Sequence, residues 1–343
     1  MSGATEVLVI TSVDELPSAL SRVQVSSVCA IDCEGAVNAS PPELSLLQIA
    51  TTAVVIVLDL LQLSHGGEDL STLLSTGELS TRVWRSTALT KVFWDCRGDL
   101  ALLRANGVDL LQAGYGQVLD AQLLDVMTRS ESDQARLDRL HPVVYRGHVR
   151  GKPRLFSSVH RLNSLVGALK EHGLAADPEC GEYIAARDAV TADFKKNMRF
   201  WMERPLSEHA IAHAAGDAVW TLRLWRALAA RATQAQLRAL PGATLRFDAV
   251  ARHMLYAGVE ELFAQHSLLP LCVLAAPPAG TMGMRVCERG CQRTLPAALV
   301  SKTGHLCEVC GGLAMTKASR KEHAKQEMQA ECDSIFRSND SDY

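Results

Sequence analysis

Three short apolar runs crowd into residues 25–60, "VSSVCAID", "ELSLLQIAT" and "AVVIVLDL". Each has the length and the Val and Ile enrichment of a strand. "SPPEL" supplies a turn between the first two, and "TT" a tight link between the next two. The stretch is predicted to be a meander of three antiparallel strands.

Helical and strand patterns then mix. "DELPSALSRV" is predicted to be a helix with the capping pair Ser12 and Glu15 at its start. "KVFWDC" reads as a strand, "DLALLRANG" as a helix stopped by Gly107, and "VLDAQLLDVMTR" as a strand that becomes a helix. From Leu162 to Ala232 helical patterns dominate. This order predicts an α/β domain built on a mixed sheet. Apolar residues make up 48% of the 343, enough for a substantial core.

Between Ser130 and Ser158 the pattern is lost, and a long loop or insertion is expected. It carries Arg146, Arg150, Lys152 and Arg154 besides His141 and His148. The Pro-Gly pair after Leu240 reads as a boundary, followed by one or two helices to about His266 and then a linker, "LLPLCVLAAPPAGTMG". The tail is highly charged and is expected to be partly disordered. Its segment "SRKEHAKQEMQAECDSIF" would put Met328, Cys332 and Ile335 on one helix face. The expected division is 1–235, the α/β domain; 236–284, a helical extension and linker; 285–315, a small cysteine module; and 316–343, the tail.

The acids stand out against this background. In a strand, residues i and i+2 share a face, so Asp32 and Glu34 of "IDCEG" point the same way. Adjacent carboxylates repel unless a cation lies between them. Hard oxygen ligands favour Mg²⁺ or Mn²⁺; a plain pair of acids at a wet strand end is the other reading. Asp99 stands at the start of the helix after "KVFWDC", where it either caps that helix or joins the first two acids. Asp217 lies inside a helix, a poor place for Asp, with His213 one turn before it. Ala214, Ala215 and Gly216 beside it imply close packing against another element.

Together these segments resemble the DEDD superfamily of 3′–5′ exonucleases, in the ribonuclease D and Egalitarian-like branch. "AIDCEG", "KVFWDCRGDLALL" and "RPLSEHAIAHAAGDAVWTLRLW" are similar to its three motifs, and the likeness spans about residues 5–230. It implies a ribonuclease-H-like mixed sheet flanked by helices, with Asp32, Glu34, Asp99 and Asp217 as the metal-binding acids. It further implies two ions, Mg²⁺ or Mn²⁺, with Asp32 shared between them. Glu34 and Asp217 would hold the ion that activates water, and Asp99 the other. Asp95, Asp120 and Gln122 are read as structural. One departure matters: this branch normally has Tyr four residues before the last Asp, where this chain has His213. Its imidazole either orients or deprotonates the attacking water, or merely packs.

Net charge is −3, so no global positive field attracts nucleic acid. Contacts with RNA or single-stranded DNA must come from bound cations or local patches, and "YRGHVRGKPR" is either such a patch or a solvated loop. Phe93, Trp94 and Trp220 either stack on bases or, as their place in strand and helix interiors favours, belong to the core. Ten cysteines in a chain of this length do not form a secreted disulfide scaffold. Four of them, Cys287, Cys291, Cys307 and Cys310, form a C-x₃-C and C-x₂-C pair of pairs that predicts a structural Zn²⁺ site resembling a zinc ribbon. His305 is a possible substitute ligand. The start "MSGATEVLVITS" lacks the basic residues of a signal peptide, and Asp59, Pro270 and Pro277 interrupt the apolar stretches. The expected compartment is cytosolic or nuclear, with no membrane partner. The zinc module or the tail could engage a protein. Two functional readings stand: a metal-dependent exonuclease, or the same fold kept as a nucleic-acid or protein-binding scaffold.

Overall fold

A computed structural model of the chain describes residues 5–36, 39, 41–65, 69–142, 146–151, 153–156, 159–197, 199–256, 268–275, 284–287, 294–296, 300, 306–307 and 310–311. The chain opens with β1 (Glu6–Ile10), a strand the pattern reading leaves out. Helix α1 (Leu16–Ser21) follows, and just ahead of it the Glu15 carboxylate accepts the Ser12 backbone N–H at 3.2 Å. The expected meander is next, as β2 (Val28–Ala36), β3 (Glu43–Ala50) and β4 (Val54–Asp59), paired antiparallel in sequence. Short helices α2 (Leu60–His65), α3 (Leu70–Ser75) and α4 (Gly77–Leu79) lead to β5 (Thr90–Phe93). Then come α5 (Arg97–Ala105), β6 (Val118–Asp120) and α6 (Ala121–Thr128). β1 runs parallel to β4, and β5 runs parallel to both β2 and β6.

The result is a six-stranded mixed sheet in the order β1-β4-β3-β2-β5-β6, the ribonuclease-H-like arrangement. β4 is buried along its whole length and β3 along all but its first residue, which is why both read as largely apolar runs.

Four longer or later helices complete this part: α9 (Leu165–Glu171), α10 (Pro178–Lys196), α11 (Glu208–Arg231) and α12 (Gln234–Tyr256). Two short ones, α7 (Asp133–Asp138) and α8 (Arg146–Gly151), precede them. α11 lies against β2, β3, β4 and β5. Its buried Ala210, Ala214, Ala215 and Ala218 keep that face thin, so the backbone can approach the sheet. Ser207 caps it, accepting the Ala210 N–H at 3.2 Å.

The turn that feeds α11 is fastened to the sheet. Arg204 grips Asp59 at the end of β4 with two parallel bonds, Nε to Oδ2 at 2.6 Å and Nη2 to Oδ1 at 2.7 Å. Nη2 also donates to Ser45 Oγ on β3 at 3.0 Å. Asp59 is 1% exposed, so this is a buried ion pair. Burial pushes its carboxyl up, but hydrogen bonds from Arg204 and Gln62 outweigh that and hold it below the usual range.

The chain divides into two compact units. The first, Met1–Ser130 with Leu162–Arg252 and Val273–Ala276, contains the sheet. The second comprises Glu131–Arg161, His253–Cys272 and Pro277–Tyr343. Within it, β7 (Val159–Arg161) pairs antiparallel with β8 (Leu268–Pro270), and β9 (Met284–Val286) with β10 (Thr294–Pro296). Arg136 Nη1 donates to the carbonyls of Phe156 and Val159, both at 2.7 Å.

Three expectations are corrected. The stretch 131–158 is not only loop: it contains α7 and α8, whose six residues each are too few to display a period. The start of the expected linker is a buried strand, Leu268–Pro270. Pro241 and Gly242 lie inside α12 rather than at a break, so helical packing overrides their local preference. Lys152, Cys291, His305 and the tail helix lie outside the described residues. Among the described residues no helix is long and apolar enough to cross a membrane.

Candidate active site

The site is assembled from β2, α5 and α11, with α10 behind it. On β2, Asp32 pairs in register with Gln48 of β3, and Glu34 with Leu46. A register shift follows between Glu34 and Gly35. A side chain at Gly35 would overlap the Glu43 carbonyl oxygen, so glycine lets the strand bend where the acids end.

Between the two acids, the Cys33 N–H donates to Asp99 Oδ1 at 2.9 Å. That bond ties the first turn of α5 to the acid-bearing stretch of β2. From α11, His213 Nε2 lies 3.7 Å from Glu34 Oε1, and its Nδ1 lies 3.6 Å from Asp217 Oδ1. Ligand atoms of Glu34, His213 and Asp217 all fall within 4.8 Å of one another.

Charge crowding is severe. Burial pushes the Asp32 carboxyl well above the usual range, and Asp99, Asp217 and Glu34 push it further. Glu34 is raised by burial and then by Asp217 and Asp99, with Arg187 opposing. Asp99 is raised by burial and then by Asp95, despite the Cys33 N–H. Burial lowers the His213 imidazole below its ordinary value, with Asp217 opposing and Arg187 assisting. Burial of this kind favours the neutral ring.

A divalent ion fits these residues. Asp32 Oδ2 is buried without a hydrogen-bond partner. Both amide atoms of Gln48, across the ladder, are in the same condition. An acceptor left open among repelling carboxylates is the environment a cation relieves.

Tyr183, Trp201 and Gln48 were not singled out from the sequence. The Tyr183 hydroxyl on α10 donates to Asp217 Oδ1. Burial and Asp217 raise this phenol, so it stays a donor. The His213 ring lies between Tyr183, stacked at 6.4 Å between centroids, and Trp201, stacked at 5.7 Å. The neighbour implied by the small residues before Asp217 is the Tyr183 ring: a methyl at Gly216 would overlap it. Gly216→Ala is therefore expected to lower stability by about 1–3 kcal/mol through overpacking, read as a drop in urea midpoint.

The other acids serve the fold. Asp95, in the left-handed region at φ 60°, pairs with Arg97 at 2.5 Å. Asp120 accepts the N–H groups of Cys96 at 2.9 Å and Gln122 at 2.8 Å, and burial with Asp95 pushes it up to about 6. Phe93 and Trp220 are buried, and Trp94 is half-buried. Arg146 and Arg150 are exposed on α8.

In the second unit, Cys287, Cys307 and Cys310 are buried with their sulfurs within 4.8 Å of one another. The Cys307 N–H points to Cys287 Sγ at 3.2 Å, and the Cys310 N–H to Cys307 Sγ at 3.5 Å. Three soft donors supported by backbone N–H groups suit Zn²⁺.

Comparison with known proteins agrees with this fold. The fold is similar to that of Trypanosoma brucei RNase D, with 21% identity and a TM-score of 0.53, covering 80% of this chain and 82% of that one. The structure of the same T. brucei enzyme in complex with RNA U12 gives 22% identity and a TM-score of 0.51, covering 79% and 78%. A search of curated proteins finds no match. A family model described as 3′–5′ exonuclease matches residues 7–232, so the chain belongs to the 3′–5′ exonuclease family.

Proposed function

We propose that the protein is a metal-dependent 3′–5′ exonuclease hydrolysing phosphodiester bonds of RNA or single-stranded DNA. Asp32, Glu34, Asp99 and Asp217 are its metal-binding acids, and His213 completes the catalytic set. One observation carries this reading: carboxylates from β2, α5 and α11 crowd together around a buried Asp32 oxygen that has no hydrogen-bond partner. Membership of the exonuclease family supports a nuclease function on nucleic acid. The RNA complex of T. brucei RNase D favours RNA as the first substrate to try.

Two divalent ions, Mg²⁺ or Mn²⁺, would activate water and stabilise charge on the leaving oxygen when bound. The chain's own residues prepare the place. Tyr183 fixes one oxygen of Asp217 and leaves the other for an ion. His213, held neutral by burial, presents its ring to whatever lies between Glu34 and Asp217. Arg187, one turn beyond Tyr183 on α10, is a positive charge near Glu34 that can meet a phosphate oxygen.

The test uses the full chain and 5′-labelled RNA and DNA oligonucleotides, with divalent metal and with chelator. Shortening from the 3′ end with metal alone is the expected result. Binding without shortening would favour the scaffold reading.

The cysteine cluster we assign to a structural Zn²⁺ held by Cys287, Cys291, Cys307 and Cys310, in a module that could also engage a protein partner. Metal analysis of protein purified without chelator should find bound zinc, and Cys307→Ser should lose it. The variant should also show a lower thermal midpoint, because structural metal binding is coupled to folding. Zinc-free wild-type protein would remove the assignment.

A further inference from the structure

We infer that His213 is a ligand of the active-site metal, and that this centre selects a transition-metal dication such as Mn²⁺ or Co²⁺ over Mg²⁺. The inference rests on the metal-dependent reading above and names the class of ion.

The geometry is that of a mixed donor set. His213 Nδ1 is buried and has no hydrogen-bond partner, and the residue is only 8% exposed. Its two nitrogens face the two carboxylates at 3.6 Å and 3.7 Å, beyond hydrogen-bond range. One ring nitrogen, an oxygen of Glu34 and the Asp217 oxygen that Tyr183 leaves open would form the donor set, and ligand atoms of the three residues already lie within 4.8 Å of one another. The ring plane is already held between Trp201 and Tyr183. Tyr183 also holds Asp217, so one aromatic side chain orients both prospective ligands.

Donor chemistry then sets the preference. Carboxylates and water alone suit Mg²⁺, whereas an imidazole nitrogen raises affinity along the transition series. A tyrosine at 213 would offer no such nitrogen. Replacing His213 by Tyr would therefore change which ion is held without removing any acid.

The experiment uses full-length protein freed of loosely bound metal, with Mn²⁺ as the probe. Free Mn²⁺ is read by electron paramagnetic resonance, Mg²⁺ competes for the site, and pulsed resonance detects nitrogen bound to the ion. Wild type should bind Mn²⁺ with a nitrogen coupling that vanishes in His213→Ala and in His213→Tyr. The excess of Mg²⁺ needed to displace half the Mn²⁺ should fall at least about tenfold in both variants.

Bound Mn²⁺ without nitrogen coupling in wild type would overturn the inference and leave the metal-dependent reading standing. Equal Mg²⁺ competition in wild type and variants would do the same. Wild type that binds no Mn²⁺, or Asp217→Asn that binds it equally, would overturn both. The wild-type spectrum decides the matter even if a variant does not fold.

Discussion

Asp217→Asn is expected to slow 3′-end shortening by at least about a thousandfold, roughly 4 kcal/mol of barrier. The substitution is nearly isosteric and keeps an oxygen to accept the Tyr183 hydroxyl. It removes one negative charge from a cluster in which Asp217 is a principal source of repulsion on Glu34. Folding should therefore be unharmed, and the thermal midpoint equal to or above that of wild type. Loss of activity at unchanged stability is the signature of a residue that acts on substrate or metal. Equal single-turnover rates in both proteins would remove the enzymatic reading.

Arg204→Met should have the largest effect on stability. It keeps much of the side chain's apolar length but leaves Asp59 buried without its bidentate partner. Breaking a buried pair from one side costs about 3–5 kcal/mol. Asp59 has a lowered value in the folded protein, so its contribution is present above the unfolded value of about 3.9 and is lost as pH falls through the folded one. The gap between wild type and variant should be widest near neutral pH and narrow as pH falls, first through the raised Asp59 value of the variant and then through the lowered one of the wild type. Chemical denaturation across that range measures it. Because the same arginine fastens the entrance to α11, the variant should lose activity along with stability.

Much of the sheet could be read from local letters. β2, β3 and β4 are buried runs joined by short turns, and burial is what makes a strand legible. β1 follows the opposite logic. It is an edge strand with Val7 48% and Val9 36% exposed, so its apolar letters give no clean alternation. The acids were legible through backbone period: two-residue spacing for Asp32 and Glu34, one helical turn for His213 and Asp217. Tyr183 was not, because its partner is 34 residues away in the chain. A trace existed in the buried stripe Cys180, Tyr183, Ala186 and Val190, which marks the face of α10 turned inward. Gln48 sits inside an apolar run, and a polar residue there is conspicuous only once its cross-strand neighbour is known to be Asp32. The second unit was least legible, since its short helices and three-residue strands carry little periodic signal.

The placement of His213 and Asp217 has a kinetic meaning. Both lie in the first half of a 24-residue helix whose inner face is buried on both sides of them. Amides in such a segment exchange with solvent chiefly through whole-molecule opening, whereas frayed ends and loops open on their own. These two side chains cannot loosen separately from the body that carries Asp32 and Glu34. Their spacing persists for the lifetime of the native state, and whatever gating admits a nucleic-acid end must come from elements other than this helix.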